Sequence, residues 1–456
     1  MANQQEQVVG AGTDRLDAAV AGGRARGWGR RHIVVILCFL ALFIAYTDRV
    51  NISVAAVAMR EQLGWTQTTK GFVLSAFFIG YMLFMIVSGW LARRYGGKRV
   101  LAAAVVVWSL FTLLTPWAAR HSLGVLIAVR IGLGIGEAAV LPAAFALFSH
   151  WAPAAERTRI VARFLSGVPL GQVVGFIGTG WIIAHSGWPM AFYFFGAVGL
   201  LWLAFWMPAV RDDPATDPRI SRQELELLQR GKSVVLARSF AWRRYLAAPS
   251  VWAIFVTHFC HNWALYLLLS WLPSYFREQL GLSISNAGLF AAAPWLAAFA
   301  SANLTAIVVD KAISAGAPVI RMRRLTSTIG MIGVATFLLL MRDVQSATTA
   351  LALVCAATSC VGVLMATFMP NALDIAPRDC AILVSISNTI ATIPGIAGVA
   401  ITGWLIDTSG TYASAFLLTA LLCIAGALFY LAFGSATAID TLETAADGEG
   451  SQPGSA

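Results

Sequence analysis

Twelve stretches of this chain are apolar for long enough to cross a bilayer, and that feature decides most of what the chain can become. The hydrocarbon core needs about 20 apolar residues per helix. The first six stretches are roughly 33–58, 71–92, 100–119, 122–150, 159–184 and 189–208. The second six are roughly 250–275, 285–309, 326–341, 347–370, 380–406 and 413–433. Only 12% of the 456 residues are charged, about half the usual share for a soluble domain. Polar surface for two or three soluble domains is therefore missing, and a disordered chain would be poor in apolar residues rather than rich in them. An all-α membrane protein with twelve transmembrane helices is expected, resident in a multi-pass manner in the lipid bilayer.

The net charge of +10 would suggest nucleic acid in a soluble protein. Here the basic residues fall in short clusters between apolar runs, which is a topology signal, and no nucleic-acid partner is expected. With the N-terminus placed in the cytoplasm, the inward segments carry 25 Lys and Arg and the outward segments 5. That bias puts both termini in the cytoplasm. The first apolar run starts only at Ile33, too far from Met1 for a cleaved signal, so it reads as a retained first helix. Six cysteines lie in or beside apolar segments without CxxC spacing, and they imply neither a disulfide framework nor a metal site. No cofactor and no catalytic constellation is expected.

The segments divide the chain into a cytoplasmic tail (1–32), a six-helix bundle (33–208), a cytoplasmic linker (209–249), a second six-helix bundle (250–433) and a disordered cytoplasmic tail (434–456). The linker is expected to hold a short amphipathic helix near 221–231. Two pseudo-symmetric bundles around a basic linker suggest a transporter that rocks about a site at the membrane midplane. Such a unit encloses its own path, so a monomer suffices.

Charge inside the membrane is costly, which makes it the place to look for function. The first helix carries Asp48 and Arg49, and the fourth carries Arg130 and Glu137. Asp374 and Asp407 fall near helix ends and are set aside as water-exposed. Counting from Ala58 and Ser122 as outer ends, Asp48 lies ten residues deep, Arg49 nine, Arg130 eight and Glu137 fifteen. Arg130 and Glu137, seven apart, share a helix face. Two arrangements follow. In one, partners exchange, Asp48 with Arg130 and Glu137 with Arg130 or Arg49. Alternatively Asp48–Arg49 and Arg130–Glu137 are fixed neutralising pairs. A planar guanidinium at Arg49 suits a carboxylate or phosphate. Loss of hydration favours the protonated form of a carboxyl, so Glu137 and Asp48 are candidates for carrying a proton. Gly132, Gly134 and Gly136 form a small-residue stripe whose expected role is close helix packing.

The sequence around these charges is similar to a known family. The first helix reads Tyr46-Thr-Asp-Arg-Val-Asn-Ile-Ser-Val-Ala, and the fourth Arg130-Ile-Gly-Leu-Gly-Ile-Gly-Glu137, followed by Pro142 and Trp151-Ala-Pro-Ala-Ala-Glu-Arg-Thr-Arg. Both resemble the major facilitator superfamily, in its anion:cation symporter branch, which includes sialin, the vesicular glutamate transporters, phosphate transporters and bacterial hexonate and hexuronate symporters. His258-Phe-Cys-His-Asn-Trp263, Leu373-Asp-Ile-Ala-Pro377, Ser387-Asn388-Thr and Thr392-Ile-Pro-Gly395 extend the resemblance over roughly residues 33–433.

The resemblance implies the major facilitator fold and a set of roles. Arg49 matches the arginine that engages the substrate anion, and Glu137 the carboxylate linked to proton coupling, with Arg130 as its partner. Asp48 matches an acidic position of the sugar-acid members. Asn388 matches a polar position near substrate, and Tyr46, Tyr81 and Gln172 are further substrate-binding candidates. His258 matches a histidine of sialin-like members and is assigned to coupling, although a histidine packed in a helix interface is the competing reading. His261 stands where the branch varies and is a candidate for tuning substrate choice. The loop after the second helix departs from the family's Gly-x-x-x-Asp-Arg-x-Gly-Arg-Arg pattern. It reads Gly89-Trp-Leu-Ala-Arg93-Arg94-Tyr-Gly96-Gly-Lys98-Arg99, with Arg93 in place of the aspartate. Arg93, Arg94 and Arg99 are the gate candidates.

The function expected is proton-coupled uptake of a small organic anion, such as a sugar acid, with the anion and protons as partners and a bacterial inner membrane as the location. The alternative is sodium-coupled transport of phosphate. A membrane enzyme is disfavoured by the absence of HExxH, paired-aspartate and Ser/His/Asp motifs, and a Walker-type loop is absent too.

Overall fold

A computed structural model describes residues 28–229, 242–377 and 379–439. Among these residues it is helical throughout, without strands, and twelve helices are long and apolar enough to cross a membrane. They are α1 (Arg30–Leu63), α2 (Gln67–Tyr95), α3 (Gly97–His121), α4 (Leu123–Trp151), α5 (Ala154–Ser186) and α6 (Trp188–Ala209). The second set is α7 (Pro249–Gln279), α8 (Ile284–Ser314), α9 (Val319–Asp343), α10 (Ala347–Ile375), α11 (Cys380–Ser409) and α12 (Ala413–Phe433). The chain is a multi-pass membrane protein.

Helix pairing repeats with an offset of six. In the first set α1 packs on α5 and α6, α2 on α4, and α3 on α4 and α6. In the second, α7 packs on α11 and α12, α8 on α10, and α9 on α10 and α12. The two sets meet along α2–α11 and α5–α8, with α1–α7 between them. Small residues permit these approaches, because lipid supplies no hydrophobic drive and van der Waals packing must serve. A Cβ at Gly403 would lie 2.3 Å from the Gln67 carbonyl, and one at Gly288 2.5 Å from that of Phe176. Within the first set the glycine stripe of α4 packs as expected: Gly134 lies against Phe77 of α2, and Gly132 and Gly136 against Phe111 and Trp108 of α3.

Several helices are longer than their apolar cores suggest, α9 and α1 most of all, and three are interrupted. α4 breaks immediately after Glu137, where Pro142 lacks the N–H that would bond the Ala138 carbonyl. Ser88 of α2 donates to that carbonyl instead (3.2 Å). α10 breaks before Pro370, and the Ala366 carbonyl so released accepts from Arg323 (3.0 Å). α5 breaks at Ser166, three residues before Pro169.

The linker is tied to the first set. Glu224, on the helix Arg222–Gln229, accepts from the backbone N–H groups of Arg30 and Arg31 at the start of α1 (2.9 and 3.0 Å). That carboxylate also pairs with Arg31, which reaches Glu156 on its other side (2.9 Å). Asp217 pairs with Arg30 and Arg219. Burial pushes the Asp217 carboxyl up, but hydrogen bonds from Arg219 and Arg30 outweigh it and hold its pKa below the ordinary value. The rest of the amphipathic segment expected near 221–231 lies outside the described residues. The C-terminal tail, expected to be disordered from residue 434, is packed at its start. Gly434 accepts from Arg324 (3.1 Å), Ser435 accepts from Asn371 (2.8 Å), and Ile439 is buried. Its remainder, and the N-terminal tail before Trp28, lie outside the described residues.

Candidate functional site

Arg49 occupies the middle of α1 with its side chain nearly buried. It donates from Nε (3.1 Å) and Nη2 (2.9 Å) to the same oxygen of Glu137, Oε2. The other oxygen, Oε1, is buried without a hydrogen-bond partner. The guanidinium lies 4.4 Å from the Tyr46 ring, 4.8 Å from Phe77 and 4.9 Å from Tyr81, so three aromatic rings hold the cation. Phe78 beside them contacts Tyr266 of α7 (4.4 Å), which carries the aromatic lining into the second set.

Of the expected exchange partners the structure selects Glu137 with Arg49; neither fixed pair is present among the described residues. The helix bounds give the reason. α1 ends at Leu63 rather than Ala58, so Arg49 is fourteen residues from its end, and Glu137 is fourteen residues from Leu123. These two are level. Asp48 and Arg130 are not, and the similar depth expected for them came from ending α1 too early.

Arg130 nevertheless shares a small cavity with Arg49, lined also by Ser53, Phe77, Phe78 and Ser270. Its Nε and Nη1 have no partner. Asp48 does not line that cavity. It is 1% exposed, and neither of its oxygens is hydrogen-bonded. Asn51, fully buried three residues later on the same face, has both amide atoms unpaired. Sequence reasoning missed Asn51, although an i, i+3 polar pair inside an apolar helix was the available signal.

The second set contributes a different cluster. His258 Nδ1 lies 2.8 Å from Ser387 Oγ, and its ring stacks on Phe368 at 4.3 Å. His261 also packs on Phe368 (5.1 Å), with Nδ1 unpaired. Asn262 donates to the Ala391 carbonyl (2.7 Å). Asn388 is half-buried on α11, and Gln172 is buried on α5. No hydrogen bond or ring contact among the described residues joins the histidine cluster to Arg49.

One end of the path is closed, the end opposite the tails. Lys70 of α2, fully buried, donates to Glu278 of α7 (2.8 Å) and Ser274 (3.0 Å) and lies over Trp271. Glu278 also accepts from Gln67 (2.6 Å) and Tyr412 (2.9 Å). Asp407 of α11 takes the first backbone N–H groups of α2, at Gln67 (2.9 Å) and Thr68 (2.7 Å), where a helix N-terminus favours negative charge. Asp407 is thus a working contact across the two sets, not a bystander in interfacial water. Asp374, also set aside, pairs with Arg323 (2.9 Å). Lys70 and Glu278 were missed because Lys70 reads in sequence as a loop charge; only packing shows it buried.

At the tail end the gate candidates Arg93, Arg94 and Arg99 are exposed and form no ion pair among the described residues. The loop's carboxylate comes instead from Asp212, which follows α6 and accepts from the Lys98 backbone N–H at the start of α3 (2.7 Å).

Residues 38–381 match the Major Facilitator Superfamily. Three curated relatives are informative. The chain is 35% identical over 407 residues to sodium-dependent phosphate transport protein 1, chloroplastic, of Arabidopsis thaliana, covering 89% of this chain and 79% of that protein. It is 35% identical over 409 residues to the chloroplastic ascorbate transporter of Arabidopsis thaliana (89% and 75%). It is 34% identical over 439 residues to sialin of Ovis aries (88% and 89%). Two of the three are chloroplastic, so the expectation of a bacterial inner membrane draws no support from them.

Proposed function

The chain belongs to the major facilitator superfamily, within its anion:cation symporter branch, and we propose that it carries a small organic anion and protons in the same direction by alternating access. It is a transporter, not an enzyme. The observation that carries the finer reading is the competition for Arg49. In the present state the Nε–Nη2 edge of the guanidinium is given to one oxygen of Glu137. A substrate carboxylate and Glu137 therefore want the same guanidinium. A proton on Oε1, the oxygen left without a partner, removes the charge that holds Arg49 and frees its fork for the anion. Release of the anion returns Arg49 to Glu137 and expels the proton. Anion and proton are thereby bound together or not at all.

Tyr46 and Tyr81 flank the guanidinium, and Gln172, Asn388 and His261 supply polar contacts as the sets close on the cargo. Arg130 and Asp48 tune the proton step from the same half, and His258 takes part from the other. Arg93, Arg94 and Arg99 close the tail end, which lies in the cytoplasm according to the distribution of Lys and Arg. The inward segments carry 25 Lys and Arg against 5 in the outward ones, which supports that orientation.

The second reading is sodium-coupled phosphate transport, favoured by the name of one relative. The ascorbate relative favours an organic anion. Purified protein in proteoliposomes with an internal pH dye separates them. Hexonates, hexuronates, sialate, ascorbate, glutamate and phosphate are added singly, with and without sodium. Acidification by one organic anion without sodium is the expected result. Sodium-dependent entry of labelled phosphate without acidification would replace the proposal with the second reading.

A further inference from the structure

A cleft of about 380 Å3 opens at the tail end, between the start of α1 and the start of α5. Trp28, Arg31, His32, Ile36, Phe39 and Arg163 line it. It is not an entrance to the transport site. On α5 the residues that face α1 are Gly171 and Gly175, and Gln172 lies beside them. Leu170, Val174, Ile177 and Trp181 are 40–58% exposed and fall on one stripe at helical spacing. Such a stripe faces hydrocarbon. Arg163, on the segment before the break at Ser166, lines the cleft at the foot of α5. Trp28, 73% exposed at the same end, suits the headgroup layer.

The charges near the cleft are unequally committed. Arg31 is neutralised by Glu156 and Glu224, and Arg30 by Asp217. Arg157, Arg159 and Arg163, on the nine-residue segment Arg157–Leu165, are exposed and have no acidic partner among the described residues. Arg163 thus lines the cleft, with Arg157 and Arg159 earlier on the same segment, and the apolar floor formed by Ile36 and Phe39 continues into a lipid-facing stripe. A soluble anion satisfies the arginines and leaves the floor in water. An amphiphile with a negative head satisfies both.

We propose that this cleft is a binding site for an anionic phospholipid, with its phosphate on Arg163, its negative charge drawn also by Arg157 and Arg159 on the same segment, and an acyl chain along Ile36, Phe39 and the α5 stripe. The occupant tethers the α1–α5 seam and the docked linker to one leaflet.

The test uses the full-length protein in neutral detergent and reads the thermal unfolding midpoint on titration with lipid. The parent is compared with the triple variant Arg157→Gln/Arg159→Gln/Arg163→Gln, whose melting without added lipid checks its fold. A lysine version at the same three positions keeps the charge and controls for side-chain loss. The quantity of interest is the stabilisation present in the parent and absent from the triple variant. Phosphatidylglycerol is expected to show it, with apparent affinity falling about fivefold per arginine removed, and the lysine version is expected to retain most of it. Phosphatidylcholine and glycerol 3-phosphate are expected to show none. The proposal is overturned if phosphatidylglycerol stabilises parent and triple variant alike, or if phosphatidylcholine shows the same arginine-dependent gain. An equal gain with glycerol 3-phosphate would also overturn it, since the occupant would then be a soluble anion.

Discussion

Arg49 and Glu137 face each other from level positions on α1 and α4, and the arginine donates from Nε and Nη2 to Oε2 of the carboxylate while Oε1 stays unpaired. A pair built only for stability would use both oxygens, since a fork-to-fork geometry is the stronger contact. In the proposed mechanism the one-sided contact is what leaves a place for a proton and lets the pair exchange for a substrate carboxylate. Glu137 also ends a helical segment, at the break enforced by Pro142, so its backbone is not fixed by a continuous helix on both sides.

Glu137→Gln is therefore expected to abolish proton-driven accumulation while anion exchange across the membrane persists. The measurement is uptake of labelled substrate into proteoliposomes, once against a pH gradient and once against internal unlabelled substrate. Accumulation that survives the substitution would remove Glu137 from the coupling step. Arg49→Lys keeps the charge but loses the fork. It is expected to weaken substrate affinity about tenfold, equivalent to about 1.4 kcal/mol, in a direct binding titration.

The Lys70–Glu278 contact predicts a conformational effect. Removing one member of a buried ion pair leaves the other uncompensated, at a cost of about 3–5 kcal/mol. Glu278→Gln should destabilise the closed end and shift the transporter towards opening on that side, seen as a lengthened distance between spin labels on α2 and α11. Lys70→Met combined with Glu278→Leu removes both charges and should return the distance most of the way. A distance unchanged in the single variant would show that Asp407 and the glycine contacts hold the seam without the ion pair.

Ser88 tests the interruption of α4. Ser88→Ala leaves the Ala138 carbonyl buried without a donor, a cost of about 1–3 kcal/mol. A lower unfolding midpoint in detergent is expected. Combining it with Pro142→Ala, which restores a backbone N–H, should recover stability and slow transport if the break serves Glu137.

The linker clasp predicts an acid response. Asp217 is held below the ordinary carboxylate value, so its contribution to docking is fully present above that value and is lost as pH falls through the depressed one. At neutral pH the clasp should be insensitive to pH. Below about pH 4 the linker should become progressively easier for pepsin to cut, normalised against Asp217→Asn, in which the difference should vanish. A constant ratio down to pH 2 would place the clasp on Glu224 and Arg31 alone.

The twelve spans, the central linker, the glycine packing of α4 and the placement of Arg49 and Glu137 as charges inside the spans were legible in the sequence, because a bilayer taxes every polar group and so makes each buried charge conspicuous. Pairing was not legible. Whether Glu137 meets Arg49 or Arg130 depends on helix register, and a few residues of error at the end of α1 changed the answer. Lys70, Glu278 and Asp407 stand at helix ends, where sequence cannot separate a solvated charge from one buried against another helix. Ser88 and Arg323 look unremarkable until Pro142 and Pro370 are seen to free the carbonyls they bond. Composition and periodicity fix which segments enter lipid and which charges must find partners there. Only the packed structure decides which partners, because that choice depends on angstrom-scale heights and rotations of one helix against its neighbour, and no local preference of the chain encodes them.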